Sequence, residues 1–401
     1  MTPEIDAAVL TAILQEIDLP DTARQKAEAR YKRLGEWFGE PGQRCSGYSP
    51  RIYPQGSFRL GTVVRPLSEV DEYDLDMGCR LERGITKTTH TQKDLKHMVR
   101  QDLEAYRVAN QIQTPLDEKN RCWRLSYKDE VGFHLDAVPS IPEDATVREA
   151  LANRMVANSI PSELANGIAC HAGAITDKKH PGYPVITLDW RVSNSEGYAR
   201  WFESRIRQKS FRTPSQTLVL EGKSKVEELP ASTWKSPLQQ AIQILKRHRD
   251  VAFKDDRDRQ PISIIITTLA AHAYTGANDA AEALRQILPN MEATIRHSSP
   301  KVPNPVHPEE DFAEKWYAAD SIHLDLERTF RRWIRQAIND LSQIAAAHTA
   351  EAFRDSVQAV FQIGVSEEWL KNRFGRQRPV IAPKPARHTV ISEPPPKPWC
   401  A

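Results

Sequence analysis

The segment Tyr53-Pro-Gln-Gly-Ser-Phe-Arg-Leu-Gly-Thr62, followed by Glu72-Tyr-Asp-Leu-Asp-Met77, decides how the chain is read. Residues two apart on an extended strand share a face, so Asp74 and Asp76 project together while Leu75 and Met77 turn to a core. Side-by-side carboxylates repel unless a cation lies between them, and oxygen-only ligation suits Mg²⁺, which combines carboxylates with substrate phosphates and water. Gly56-Ser57 offers the complementary half. Glycine lets backbone come close to a phosphate, a helix start after it would aim N–H groups there, and the Ser57 hydroxyl can donate to a terminal phosphate oxygen. A third acid stands in Gly132-Phe-His-Leu-Asp-Ala-Val138, where alternation puts His134, Asp136 and Val138 on one face. An aspartate in a buried strand needs a charged partner; a metal ion or a structural arginine would each serve. A lone DxD or Gly-Ser says little, but the combination is specific: three acids on adjacent strands can hold two Mg²⁺ ions about 4 Å apart, activating an attacking hydroxyl and stabilising a leaving pyrophosphate.

Upstream, helical spacing predicts a helix from Pro3 to Ile17, with Asp21-Thr22 capping a second through Ala27, Tyr31, Leu34 and Phe38. Strands are predicted at 51–53, 73–81, 122–127 and 132–138, with a helix over about 91–110 between the second and third. That order points to a mixed sheet flanked by helices. Beyond about residue 190, helices dominate. Ser193-x-x-Glu196 has capping-box spacing for a helix to about Lys209, and Ser236-Pro237 opens another to Val251. Further helices are predicted over 261–274, over 279–297 with a break at Pro289, and from Glu309 to about Phe374. Four prolines between Ser299 and Pro308 predict an extended connection. The expected fold class is α+β in two lobes: a mixed-sheet lobe with N-terminal helices over 1–190 and a helical lobe over 191–375. A Pro-rich mobile tail over 376–401 ends in PPPKPWCA.

The 401 residues carry 55 Lys+Arg against 53 Asp+Glu, a formal charge of +2, which argues against a protein that coats nucleic acid. An apolar share of 40% with 27% charged residues fits a globular chain rather than a disordered one. Five scattered cysteines without a CxxC pair exclude a disulfide scaffold and a ribbon-type zinc site, and suit a reducing cytoplasm. Cys170-His171 reads as a buried thiol beside a polar ring. The N-terminus lacks the layout of a secretory signal. No apolar run is long enough for a membrane span, and Ile262 to Tyr274 reads as a buried helix.

With these motifs the sequence resembles the polymerase-beta-type nucleotidyltransferases, and more narrowly the cGAS/DncV-like nucleotidyltransferases of bacterial anti-phage (CBASS) signalling. The likeness covers most of the chain and takes in YPVITLDW, EGYARWFESR, KSPLQQAIQILKRHRD, ISIIITTLAAHAY and EDFAEKW. It implies a two-lobed nucleotidyltransferase fold that joins nucleoside triphosphates into a cyclic di- or trinucleotide, using two Mg²⁺ ions or Mn²⁺ in their place. Carried over by position, Asp74, Asp76 and Asp136 would be catalytic and ligate the metals, with Asp136 nearest the attacking hydroxyl. Gln55 and Ser57, flanking Gly56, would contact the donor triphosphate. Lys246 and Ser263 would meet its outer phosphates across the cleft. Read without the resemblance, Lys246-Arg247-His248-Arg249 is an ordinary solvated helix face and Ser263 a helix cap. Trp190 or Tyr198 would stack on a base.

No His/Cys cluster matches the zinc element of the animal DNA sensor of the family, and activation by duplex DNA is not expected. The groups Arg200/Arg205/Arg207/Lys209 and Arg328/Arg331/Arg332/Arg335 read as solvated faces. In some of these bacterial systems a ubiquitin-like ligation apparatus joins the synthase's C-terminus to a target, which makes the end Trp399-Cys400-Ala401 a candidate for such a partner. Two other readings stay open: a linear oligonucleotide synthase or RNA terminal nucleotidyltransferase, and a non-catalytic nucleotide-binding scaffold.

Overall fold

A computed structural model describes residues 6–68, 72–128, 132–207, 225–229, 235–297 and 301–375. The predicted tail 376–401, Lys209 and the first residues of the predicted opening helix lie outside the described residues. The chain opens with α1 (Ala7–Ile17) and α2 (Asp21–Trp37), then β1 (Pro50–Pro54), the short α3 (Gly56–Leu60), β2 (Tyr73–Leu81) and α4 (Gln92–Ala109). Next come β3 (Asp117–Glu118), β4 (Trp123–Tyr127), β5 (Phe133–Pro142), α5 (Ala145–Ala157), α6 (Ser162–Ala169), β6 (Gly173–Ile175) and β7 (Arg191–Ser193). The remainder is mainly helical: α7 (Ser195–Arg207), β8 (Lys225–Val226), α8 (Pro237–Ala252), α9 (Ser263–Ala273), α10 (Ala280–His297), a hairpin of β9 (Pro303–Asn304) and β10 (His307–Asp311), α11 (Leu326–Ala346), α12 (Ala350–Phe361) and α13 (Glu367–Phe374).

The expected α+β, two-lobed architecture is present. The main sheet runs β3-β4-β5-β2-β1-β8, with β6 and β7 continuing from the far end of β5. β2 and β5 are parallel, and β4 lies antiparallel to β5. The register places Asp76 opposite Asp136 and Asp136 opposite Arg124, with Asp74, His134 and Ser126 forming the next rung. The other face of these strands is apolar: Leu75, Met77 and Leu135 are buried against Tyr31 and Phe38 of the N-terminal region and Leu95 and Leu103 of α4. Tyr53 lies flat on its antiparallel partner Gly78, where a Cβ would come 2.2 Å from the ring.

Core membership cuts across chain order. Leu10 of α1, Met155 of α5 and Ile168 of α6 share a core with Phe202, Leu245, Leu284 and Trp333 of the helical lobe. Among the described residues no helix is long and apolar enough to cross a membrane.

Several local expectations are corrected. Asp21 is the first helical residue of α2, and Pro20 holds the N-cap position without a side-chain cap. Ser193 belongs to β7, and the Asn194 carboxamide, not Ser193, accepts from the Gly197 N–H at the start of α7 (2.9 Å). α10 runs unbroken through Pro289. The flanking Leu288 and Met291 are fully buried, so packing outweighs the hydrogen bond that proline forgoes. The described part of the proline-rich stretch, from residue 301, folds back as the β9–β10 hairpin, closed by Asn304 donating to Glu310 (2.7 Å). After two short 3-10 turns at Glu314–Trp316 and Ile322–Leu324, α-helix resumes only at Leu326. Cys170 is exposed and donates to the Gly167 carbonyl (3.0 Å), because α6 ends there with its apolar side turned away.

Candidate active site

The end of β1 delivers the chain into a sharp turn. Gln55 is extended, and its backbone N–H donates to the Asp76 carbonyl (2.8 Å), tying the turn to β2. Gly56 follows with φ +59°, and a Cβ there would lie 2.2 Å from Asp76 Oδ2. Only glycine lets the backbone pass so close to this carboxylate in a left-handed conformation. Ser57 and the rest of α3 come next.

Asp74, Asp76 and Asp136 each present an oxygen within 4.8 Å of the others, the one such cluster found among the described residues. Burial pushes the Asp76 carboxyl up to about 7, helped by the neighbouring charges of Asp74 and Asp136. Asp74 is raised in the same direction, by burial and then by Asp136. Three acids therefore share one locus with too little positive charge around them. The structural arginine considered for Asp136 is also present: Arg124 donates from Nε and Nη2 to both Asp136 oxygens at 2.7 Å. Beside this set, His134 Nε2 meets Glu72 Oε2 at 2.6 Å and its Nδ1 meets Ser126 Oγ at 2.9 Å.

Gly56, Ser57, Asp74 and Asp76 line one wall of a cleft of about 590 Å³, whose facing wall includes Lys246, Arg249, Asp250 and Ser263. Lys246 is buried, its Nζ donates to the Thr62 carbonyl (2.8 Å), and burial with Arg249 nearby lowers its ammonium to about 8. The solvated-face reading of 246–249 is corrected at every position. Arg247 donates to the carbonyls of Phe361 and Arg65, His248 lies between Asp340 and Trp333, and Arg249 donates to Ser263 Oγ (2.8 Å). Ser263 is not a cap either, since Ile262 holds that position.

Neither Gln55 nor Asp136 lines the cleft, and Asp136 is paired with Arg124. Trp190 is buried in the sheet core, and Tyr198 is buried with its hydroxyl against Thr268 Oγ1 (2.8 Å), so neither lies open in the cleft; Tyr73 does. Arg124, Arg249, Asp250 and Gln260 were missed from sequence. Only Arg124 had a signal, its alternation with Ser126 on β4, and that leaves its partner unspecified. The basic groups are largely ion-paired, as with Arg200–Glu196, Arg207–Glu203, Arg331–Glu327 and Arg335–Glu292, while Arg205 donates to the Ala271 and Tyr274 carbonyls at the end of α9.

Comparison with known proteins agrees with this geometry. Residues 50–139, which span the turn and all three acids, match the family described as cyclic GMP-AMP synthase DncV-like, nucleotidyltransferase domain. A c-di-GMP synthase of Roseivirga ehrenbergii is 26% identical over 390 residues, covering 96% of this chain and 88% of that protein. The cyclic dinucleotide synthase CdnG of Bradyrhizobium diazoefficiens is 27% identical over 383 residues, covering 92% and 80%. The solved structure of that CdnG in complex with GTP superposes with a TM-score of 0.61 at 22% identity, over 88% of this chain and 95% of that one. A Vibrio cholerae di-nucleotide cyclase (DncV) mutant with ATP and GTP gives a TM-score of 0.60 at 14% identity, over 91% and 97%. Residues 50–139 thus match the DncV-like nucleotidyltransferase domain, and over nearly its whole length the chain is similar to cyclic dinucleotide synthases of the CD-NTase kind.

Proposed function

We propose that this chain joins nucleoside triphosphates into a cyclic di- or trinucleotide with release of pyrophosphate, as a cytoplasmic second-messenger synthase of bacterial anti-phage signalling. The observation that carries the reading is the convergence of Asp74, Asp76 and Asp136 within 4.8 Å beside a cleft whose far wall bears Lys246. The relatives that make c-di-GMP or bind GTP support triphosphate substrates and GTP among them.

The donor set fits a hard divalent ion. It is all oxygen, its negative charge is undercompensated, and Gly56 leaves Asp76 Oδ2 unobstructed by a side chain. Mg²⁺ held by Asp74, Asp76 and Asp136, or Mn²⁺ in its place, would neutralise charge on the reacting phosphates and make the ribose hydroxyl more acidic. The chain supplies the rest. Gly56 lets the backbone approach a triphosphate, and the Ser57 hydroxyl donates to it. Lys246 and Arg249 offset the charge of departing pyrophosphate across the cleft, with Ser263 held in place by Arg249. Asp136 orients the attacking hydroxyl in line with the α-phosphate. Positioning and charge neutralisation suffice, and no covalent protein intermediate is needed.

Incubation with all four NTPs and Mg²⁺, followed by mass spectrometry of phosphatase-resistant material, tests this. A cyclic product absent from an Asp74→Asn control is expected. Phosphatase-sensitive chains would replace the ring with a linear product, and nucleotide binding without pyrophosphate release would leave a scaffold. For the tail, deleting Trp399 to Ala401 is expected to spare cyclisation in vitro and abolish conjugation to a ubiquitin-like ligation partner in cells; unchanged conjugation refutes that partner.

A further inference from the structure

Arg124 contributes to the acid cluster in a way the proposed reaction does not use. Its guanidinium forks onto both oxygens of Asp136 at 2.7 Å, and the same Nη2 reaches Asp74 Oδ1 at 3.5 Å. The β4–β5 register sets Arg124 directly opposite Asp136, so the fork follows from strand pairing rather than from a flexible excursion. Asp136 is 7% exposed and does not line the cleft, whereas Asp74 and Asp76 do. Charge-assisted, bidentate bonds of this length are the strong class of hydrogen bond. A cation that ligates Asp136 must therefore compete with at least one arm of the fork. The arginine side chain retains 24% of its surface exposed, which leaves it an outward path.

We propose that Arg124 is a positioning residue that takes the place of the divalent ion, holding Asp136 and Asp74 together and turning out when metal binds. The inference rests on the metal reading given above. Its consequence is that the acids alone bind metal weakly, and that ions enter together with a triphosphate whose oxygens add ligands. Like charges as close as these carboxylates repel one another, so exchanging one cation for another at this point changes metal affinity measurably.

The test is a Mn²⁺ titration of the full chain, followed by the electron paramagnetic resonance of free Mn²⁺, without nucleotide and again with GTP. Without nucleotide, Arg124→Met is expected to bind Mn²⁺ about tenfold more tightly than wild type. Arg124→Lys, which keeps the charge but loses the fork, is expected to fall between them and covers the case of a Met variant that folds poorly. An arginine with a merely structural role would leave affinity unchanged or weaken it when removed. Unchanged or weaker Mn²⁺ binding by the variants, with wild type binding Mn²⁺ alongside GTP, overturns the inference and spares the metal reading. No Mn²⁺ bound by wild type or variant, with or without GTP, overturns both.

Discussion

Gly56 looked in the sequence like a device for approaching phosphate; the structure adds a neighbour that no local pattern discloses. Its φ of +59° and the 2.2 Å between a would-be Cβ and Asp76 Oδ2 make any side chain there displace the Asp76 carboxylate. Gly56→Ala is expected to cut pyrophosphate release by about a hundredfold or more, the scale of a roughly 1 Å misplacement at a reacting centre. Activity close to wild type would show the turn to be unimportant. Asp76 carries a second prediction. Its carboxyl is raised from 3.8 to about 7, chiefly by burial. The folded chain thus holds that proton more tightly than the unfolded one. This preference stabilises the fold fully below about pH 4 and is lost as pH rises through about 7. In buffer free of divalent ions, Asp76→Asn should melt above wild type near pH 8, with the difference closing toward pH 4. A calorimetric difference that stays flat across this window would sink the argument.

α8 shows how far one element can be read ahead of its partners. Its cap was legible because capping is local: the Ser236 hydroxyl accepts from the Gln239 N–H (3.3 Å), and the Gln239 carboxamide returns to the Ser236 N–H (2.8 Å). Gln239 also donates to the Leu60 carbonyl (2.9 Å), docking α8 on the end of α3 and so setting Lys246 against Ser57's turn. Ser236→Ala should cost about 1 kcal/mol in a denaturant titration. The four residues 246–249 were not legible, since their partners come from residues 62–66, 263, 340 and 361–362. Arg247→Met, which strands four carbonyl acceptors, is expected to destabilise the chain by about 2–4 kcal/mol while leaving Mn²⁺ affinity unaltered. A loss of metal binding in a variant that stays folded would contradict the assignment of Arg247 to structure.

Across the whole molecule, the cleft has Asp74 and Asp76 on one wall and Lys246 and Arg249 on the other, so on the proposed function a triphosphate with its ion would bridge the two walls. Mg²⁺ and GTP together should raise stability by about 2.7 kcal/mol at a hundredfold excess over Kd, more than either alone. Equal shifts from GTP without Mg²⁺ would remove the ion from the binding step. Arg200, Arg207, Arg331 and Arg335 of the basic groups are already paired with Glu196, Glu203, Glu327 and Glu292. Duplex DNA is accordingly expected to leave the rate unchanged, and a salt-sensitive stimulation would contradict this.

What the sequence by itself determined was the chemistry carried and most element types, because strand alternation, capping and the Gly-Ser turn are written in neighbouring residues. Tertiary structure decided the rest: that Asp76 stands opposite Asp136, that Arg124 pairs with Asp136, and that α1, α5 and α6 complete the helical lobe's core. Pairing register carries that information. A slip of one residue between β4 and β5 would turn Arg124 to the other face of the sheet, and no single strand's pattern reveals which register its neighbour will adopt.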